Sequence, residues 1–195
     1  MIKKKTISFY GCVCICLLTA SMFTSIDVWA QAGDRPSLEM EVDPLAYLLN
    51  GYSLHTAVTY SAFRSSIGIY GIKTPGFLLP NDAFLVYTSG VDLKTDYFFR
   101  DLKGFYTGLQ LTYSKDRVGL KESNYREDLW GLNIGIRTGY RFMFGKRENQ
   151  YKGLYLTPWI ALMYNPSAKT VQHRNQQYQQ ASWVPFPTIH IGWRF

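Results

Sequence analysis

From Trp130 to Phe144 hydrophobic and polar positions alternate, with Trp130, Leu132, Ile134, Ile136, Thr138, Tyr140, Phe142 and Phe144 on one parity. Gly131, Asn133, Gly135, Arg137, Gly139, Arg141 and Met143 occupy the other. A period of two over this length predicts a long strand with two chemically distinct faces. The chain end repeats the pattern, with Pro187, Ile189, Ile191, Trp193 and Phe195 set against Thr188, His190, Gly192 and Arg194. Val91 to Phe99 and Phe105 to Tyr113 predict two more strands, and weaker alternation marks 38–48, 52–61, 65–73 and 152–164, eight strands in all. Connections near 62–64, 100–103 and 145–151 are short and those near 74–87, 115–129 and 166–185 are long, with Asn50-Gly51 read as one tight hairpin among the latter. Short turns at one end and long loops at the other, with an even strand count, describe a closed up-and-down antiparallel barrel.

Three features turn the apolar parity outward, to lipid. Aromatic residues concentrate at strand ends on that parity, among them Tyr52, Tyr60, Tyr97, Phe99, Phe105, Tyr113, Trp130, Phe142, Phe144, Trp193 and Phe195, as interfacial girdles do. Gly131, Gly135 and Gly139 share the polar parity with Arg137 and Arg141, which suits a crowded narrow interior. The last strand, ending in Phe195, resembles the closing strand by which bacterial outer-membrane proteins are recognised for assembly. Over nearly its whole length beyond the leader, residues 33–195, the chain resembles the small eight-stranded outer-membrane barrels of the OmpA and OmpX type. That resemblance implies residence in the outer membrane of a diderm bacterium, lipids and lipopolysaccharide as surroundings, and the barrel assembly machinery as a partner. The class holds structural and adhesion-related barrels as well as enzymes that modify lipid A, so fold alone does not assign function.

Composition narrows the field. The chain has 195 residues, 47% hydrophobic and 16% aromatic, enough for one domain with a sizeable core. Lys3, Lys4 and Lys5 precede an apolar stretch from Ile7 to Phe23 and small residues beyond it, a secretory leader over 1–32 cleaved after Ala30 or Ala32. Cys12, Cys14 and Cys16 all lie within it, which excludes cysteine chemistry from the mature chain. Without the leader, 18 basic residues face 13 acidic ones. After residue 33 no apolar run is long enough for a spanning helix. Several basic residues, Arg64, Arg100, Lys103, Lys146, Arg147 and Lys152, are placed in the short turns. With no basic helix, RNA-binding motif, phosphate-binding glycine loop or GxSxG, nucleic-acid binding and common nucleotide or hydrolase chemistry drop out.

Placing the polar parity inside puts Glu39, Glu41, Asp43, Asp92 and Asp96 against Lys94, Arg137, Arg141 and Arg194, with His55 and His190 among them. Buried charges must be paired, so the interior is expected to be a salt-bridged plug. Closure of the last strand on the first would bring His190 near Asp43, and the Asn50-Gly51 hairpin would bring His55 within a diagonal step. A cluster of Asp43, His55 and His190 could then do acid and base work or bind a metal. No cofactor is expected. Lys169, His173, Arg174 and the amides after them would face lipopolysaccharide phosphates and sugars. The leading reading is a non-enzymatic barrel with a surface-interaction role. The alternatives are an outer-membrane enzyme acting on lipid A or phospholipid acyl chains and a soluble periplasmic lipocalin-like carrier.

Overall fold

The computed structural model describes Pro36–Phe195 apart from Glu122 and Arg174, so the leader, its cleavage points and its cysteines lie outside the described residues. Eight antiparallel strands form a closed barrel: β1 (Ser37–Val42), β2 (Tyr52–Tyr60), β3 (Phe63–Lys73), β4 (Phe84–Phe98), β5 (Gly104–Leu120), β6 (Arg126–Met143), β7 (Gly153–Tyr164) and, in the closing position, β10 (Trp183–Arg194). Each pairs with its chain neighbour, and β10 returns to β1 through Glu39↔Arg194, Met40↔Trp193, Glu41↔Gly192 and Val42↔Ile191. Between β7 and β10 the chain makes a separate hairpin of β8 (Thr170–His173) and β9 (Gln176–Gln179). Closure leaves the eight described barrel strands each paired on both sides.

Alternation along each strand decides what lies inside. In β2 every second residue, Ser53, His55, Ala57 and Thr59, is buried, while Tyr52, Leu54, Thr56, Val58 and Tyr60 are exposed. The outward side chains make continuous rows: Ile67 lies opposite Leu93, Leu93 opposite Leu111 and Leu111 opposite Ile134. Aromatic rings bound these rows at both ends. Towards the chain termini, Phe63 packs on Tyr97, Tyr97 on Phe99 and Phe105 on Tyr140; at the opposite end Tyr113 stacks on Trp130 and Tyr164 on Trp183.

The structure corrects four local expectations. Residues 38–48 are not one strand: β1 stops at Val42, and Pro44–Leu48 forms a short helix, α1. Pro44 sits in its first turn, where its missing N–H costs nothing, and Asp43 caps it by accepting from Leu45 N. The Asn50-Gly51 pair therefore ends a longer connection and does not make a two-residue hairpin. The long connections near 74–87 and 115–129 are shorter than expected, because β4 begins at Phe84, β5 continues to Leu120 and β6 starts at Arg126. Finally, Arg64 is no turn residue: it lies in β3 and is 1% exposed, inside the barrel.

The interior changes character along its length. Its middle is charged, but at the end away from the termini Phe84, Val86, Val118, Leu120 and Leu129 form an apolar cluster with Val171 and Tyr178 of the β8–β9 hairpin. Asn81 donates to Gln176 and Gln180 donates to Asp116, fastening the hairpin to the barrel mouth.

Candidate functional site

Buried charge is concentrated in the middle of the barrel. Glu39, Glu41, Asp43, Asp92 and Asp96 share the interior with Arg64, Lys94, Arg137, Arg141 and Arg194, five acids and five bases, each at most 5% exposed. Isolated, any of them would carry a desolvation cost of several kcal/mol, so the pairing pattern decides whether the fold tolerates them. Glu39 is the most connected. Its carboxylate accepts from Thr59 Oγ1 at 2.8 Å, Arg64 Nε at 2.8 Å, Arg194 Nη1 at 2.9 Å and both terminal nitrogens of Arg141 at 3.2 Å. Arg64 also pairs with Glu41 at 2.7 Å and Asp96 at 3.2 Å, and Arg137 reaches Asp96 at 3.5 Å.

Aromatic walls hold the guanidinium groups in place. Arg137 lies 4.2 Å from the centre of the Trp159 ring and donates to Tyr106 Oη, while Arg141 lies over Phe98 and Tyr155 at 4.8 and 4.5 Å. Such contacts stabilise a desolvated cation without adding another charge. Gly192 makes room for Tyr155, since a Cβ there would come within 2.2 Å of the ring.

Both predicted histidines belong to this region, each on a carboxylate. His55 Nε2 meets Asp92 Oδ2 at 3.0 Å and its Nδ1 meets Ser53 Oγ at 3.2 Å; Asp92 in turn holds Lys94 Nζ at 3.1 Å. Gly68 permits this reach across β3, because a Cβ there would sit 1.7 Å from His55 Cδ2. His190 Nδ1 meets Glu41 Oε1 at 2.9 Å, its ring lying edge-on to Trp159 and 5.0 Å from that of His55.

Asp43 does not join them, which corrects the expected Asp43, His55 and His190 cluster. Its carboxylate takes Leu45 N and, at 2.6 Å, Thr188 Oγ1, and among the described residues it pairs with no interior cation. The reason is register. Because α1 occupies the connection, His55 pairs opposite Glu41. Glu41 is therefore the acid shared with His190, and Glu41, His55 and His190 bring one ligand-type atom each to within 4.8 Å of one another. Ser53 has a buried hydroxyl that bonds His55 and accepts from Asp43 N. Arg64, missed by sequence reasoning, lies on the inward parity of β3 with Ser66, a signal hidden by its closeness to the turn.

The polar loop expected to face outward is partly engaged. Lys169 Nζ donates to Trp130 O, and His173 stacks on Tyr125 at 4.0 Å.

No family model matches this sequence, and no curated protein sequence matches it. Two solved structures are similar to it. Neisserial surface protein A (NspA) is 14% identical with a TM-score of 0.46, covering 84% of this chain and 100% of that one. A major outer membrane protein from Thermus thermophilus is also 14% identical, with a TM-score of 0.44 and the same coverages. The barrel assignment rests on the closed strand ladder of the chain itself.

Proposed function

We propose that this chain is an integral barrel of a bacterial outer membrane, plugged by its own paired charges, which acts without catalysis by presenting its loops and the β8–β9 hairpin for surface interaction. The observation that carries this reading is the inversion of the usual arrangement: apolar rows face outward between two aromatic girdles while ten charged side chains are buried inside. In water such a surface would aggregate; in a bilayer it is the expected exterior of a spanning barrel. Lipid is the first partner. At the rim, Lys73 and Lys121 border a groove of ≈ 390 Å³ with Leu48, Leu79 and Leu85, suited to a phosphorylated lipid headgroup above its acyl chains. The closing strand through Phe195 is the segment offered to the assembly machinery.

Unboiled and boiled samples of detergent-extracted outer membranes should differ in gel mobility, the folded barrel running faster. Ile134→Arg, on an outward row, should cost about 2–4 kcal/mol of stability in lipid vesicles. Release of wild-type protein by osmotic shock, soluble without detergent, would overturn the reading in favour of a soluble carrier.

A second reading, acyl-chain hydrolysis, draws support from the Ser53, His55 and Asp92 chain of hydrogen bonds, the order of groups that activates a serine. Against it, Ser53 is 1% exposed. Unchanged lipid A mass spectra on overexpression of the wild type and of Ser53→Ala remove this reading.

A further inference from the structure

We propose that Glu41, His55 and His190 form a binding site for a late first-row divalent cation of the zinc type. Two imidazoles and one carboxylate are a donor set that such ions favour, and the ligand-type atoms of the three already lie within 4.8 Å of one another. A zinc ion with bonds of about 2.0–2.1 Å holds its tetrahedral ligands roughly 3.3 Å apart, so the donors, now within 4.8 Å of one another, draw together by about 1.5 Å at most to close the site. The strands fix all three positions. Glu41 stands opposite His55 across the β1–β2 ladder and opposite Gly192, two residues beyond His190, across the β1–β10 ladder.

The surroundings match the way proteins hold metal-binding imidazoles. A ligating histidine ordinarily donates its other ring nitrogen to a carboxylate, which fixes the tautomer. Asp92 does this for His55 Nε2 at 3.0 Å, leaving Nδ1 towards Ser53 Oγ, a contact that a metal replaces. Trp159, edge-on to His190, closes the site on that side. The site does not depend on the membrane reading, since the same residues meet inside the barrel whatever surrounds it.

The test uses the mature chain refolded in detergent, stripped with chelator and titrated with zinc chloride. One zinc per chain is expected by elemental analysis after dialysis, with X-ray absorption showing two imidazoles on the metal in the wild type, a readout that needs no variant. Affinity should fall at least 100-fold in His55→Gln and His190→Gln and about 10- to 100-fold in Asp92→Asn, which leaves the ligands in place. His173→Gln, outside the cluster, should bind as the wild type does. A wild-type barrel that takes up no stoichiometric zinc, or one whose zinc survives loss of both His55 and His190, overturns the proposal.

Discussion

Replacing Glu39 with Gln tests the interior most directly. The substitution keeps size and shape but removes the charge that Arg64, Arg141 and Arg194 share, and it presents an amide N–H₂ where they need an acceptor. Glu39 is 0% exposed, so neither water nor salt can substitute. Breaking a buried pair by removing one partner costs about 3–5 kcal/mol, mostly for the charge left behind. Glu39→Gln should therefore lower unfolding free energy by that amount, about 10²–10³·⁵ in the folded-to-unfolded ratio. The assay is urea unfolding of the refolded protein in lipid vesicles, followed by tryptophan fluorescence and by gel mobility without boiling. Adding Arg194→Met to Glu39→Gln removes one stranded cation and should make the double change less harmful than the sum of the single changes. A loss of about 1 kcal/mol or less, typical of an exposed pair, would refute the reasoning and mean that the interior is wet enough to screen its charges.

Other consequences follow from particular contacts. Gly68→Ala should displace His55 from Asp92 and cost about 1–3 kcal/mol, read by the same unfolding assay and by a changed His55 imidazole signal in NMR; an unchanged signal would contradict the observed contact. Phe84→Ala should cost about 3–5 kcal/mol from the apolar cluster at the barrel mouth and open the β8–β9 hairpin to protease while the unboiled barrel still migrates fast; equal protease resistance would count against that packing. Burial, aided by Asp116, pushes the Tyr178 phenol up to about 12. Its folded value lies above the unfolded one, so the stability it confers is complete below pH about 10 and is lost as pH rises towards 12. Ultraviolet titration of Tyr178→Phe should lose one of the late-titrating phenols of the wild type. Asp128→Asn, which breaks an exposed pair with Arg117, should leave the unfolding midpoint unchanged.

The barrel is legible in the sequence because its outward parity is regular: from Trp130 to Phe142 every second side chain is exposed except the half-buried Tyr140. The inward parity is harder to read because its surroundings change. In β4 it passes from Phe84 and Val86 through small residues to Asp92, Lys94 and Asp96, so the first half loses alternation and resembles a loop. The site is partly legible. Both histidines and every interior charge except Arg64 follow from parity, but which acid meets which histidine depends on register across the connection after β1. That register is set by α1, whose start is written in Asp43-Pro44, a cap followed by proline. Read as a continuing strand, the same residues give the wrong partner.

Glu39 also bears on the order in which the molecule comes together. The β1–β10 ladder has four register pairs, against twelve between β10 and β7, and it joins the first and last strands of the barrel. Loop-closure entropy makes such a seam the last to form, and until it forms Glu39 and Arg194 stand on opposite margins of an open curved sheet. Desolvation of the pair then falls within the final step, which concentrates the kinetic barrier at one line of the molecule. Rupture is expected along that line too, as a sideways parting between the first and last strands, so a disulfide across Met40→Cys and Trp193→Cys, which stand opposite each other, should prolong the folded lifetime far more than an equal tie elsewhere in the wall.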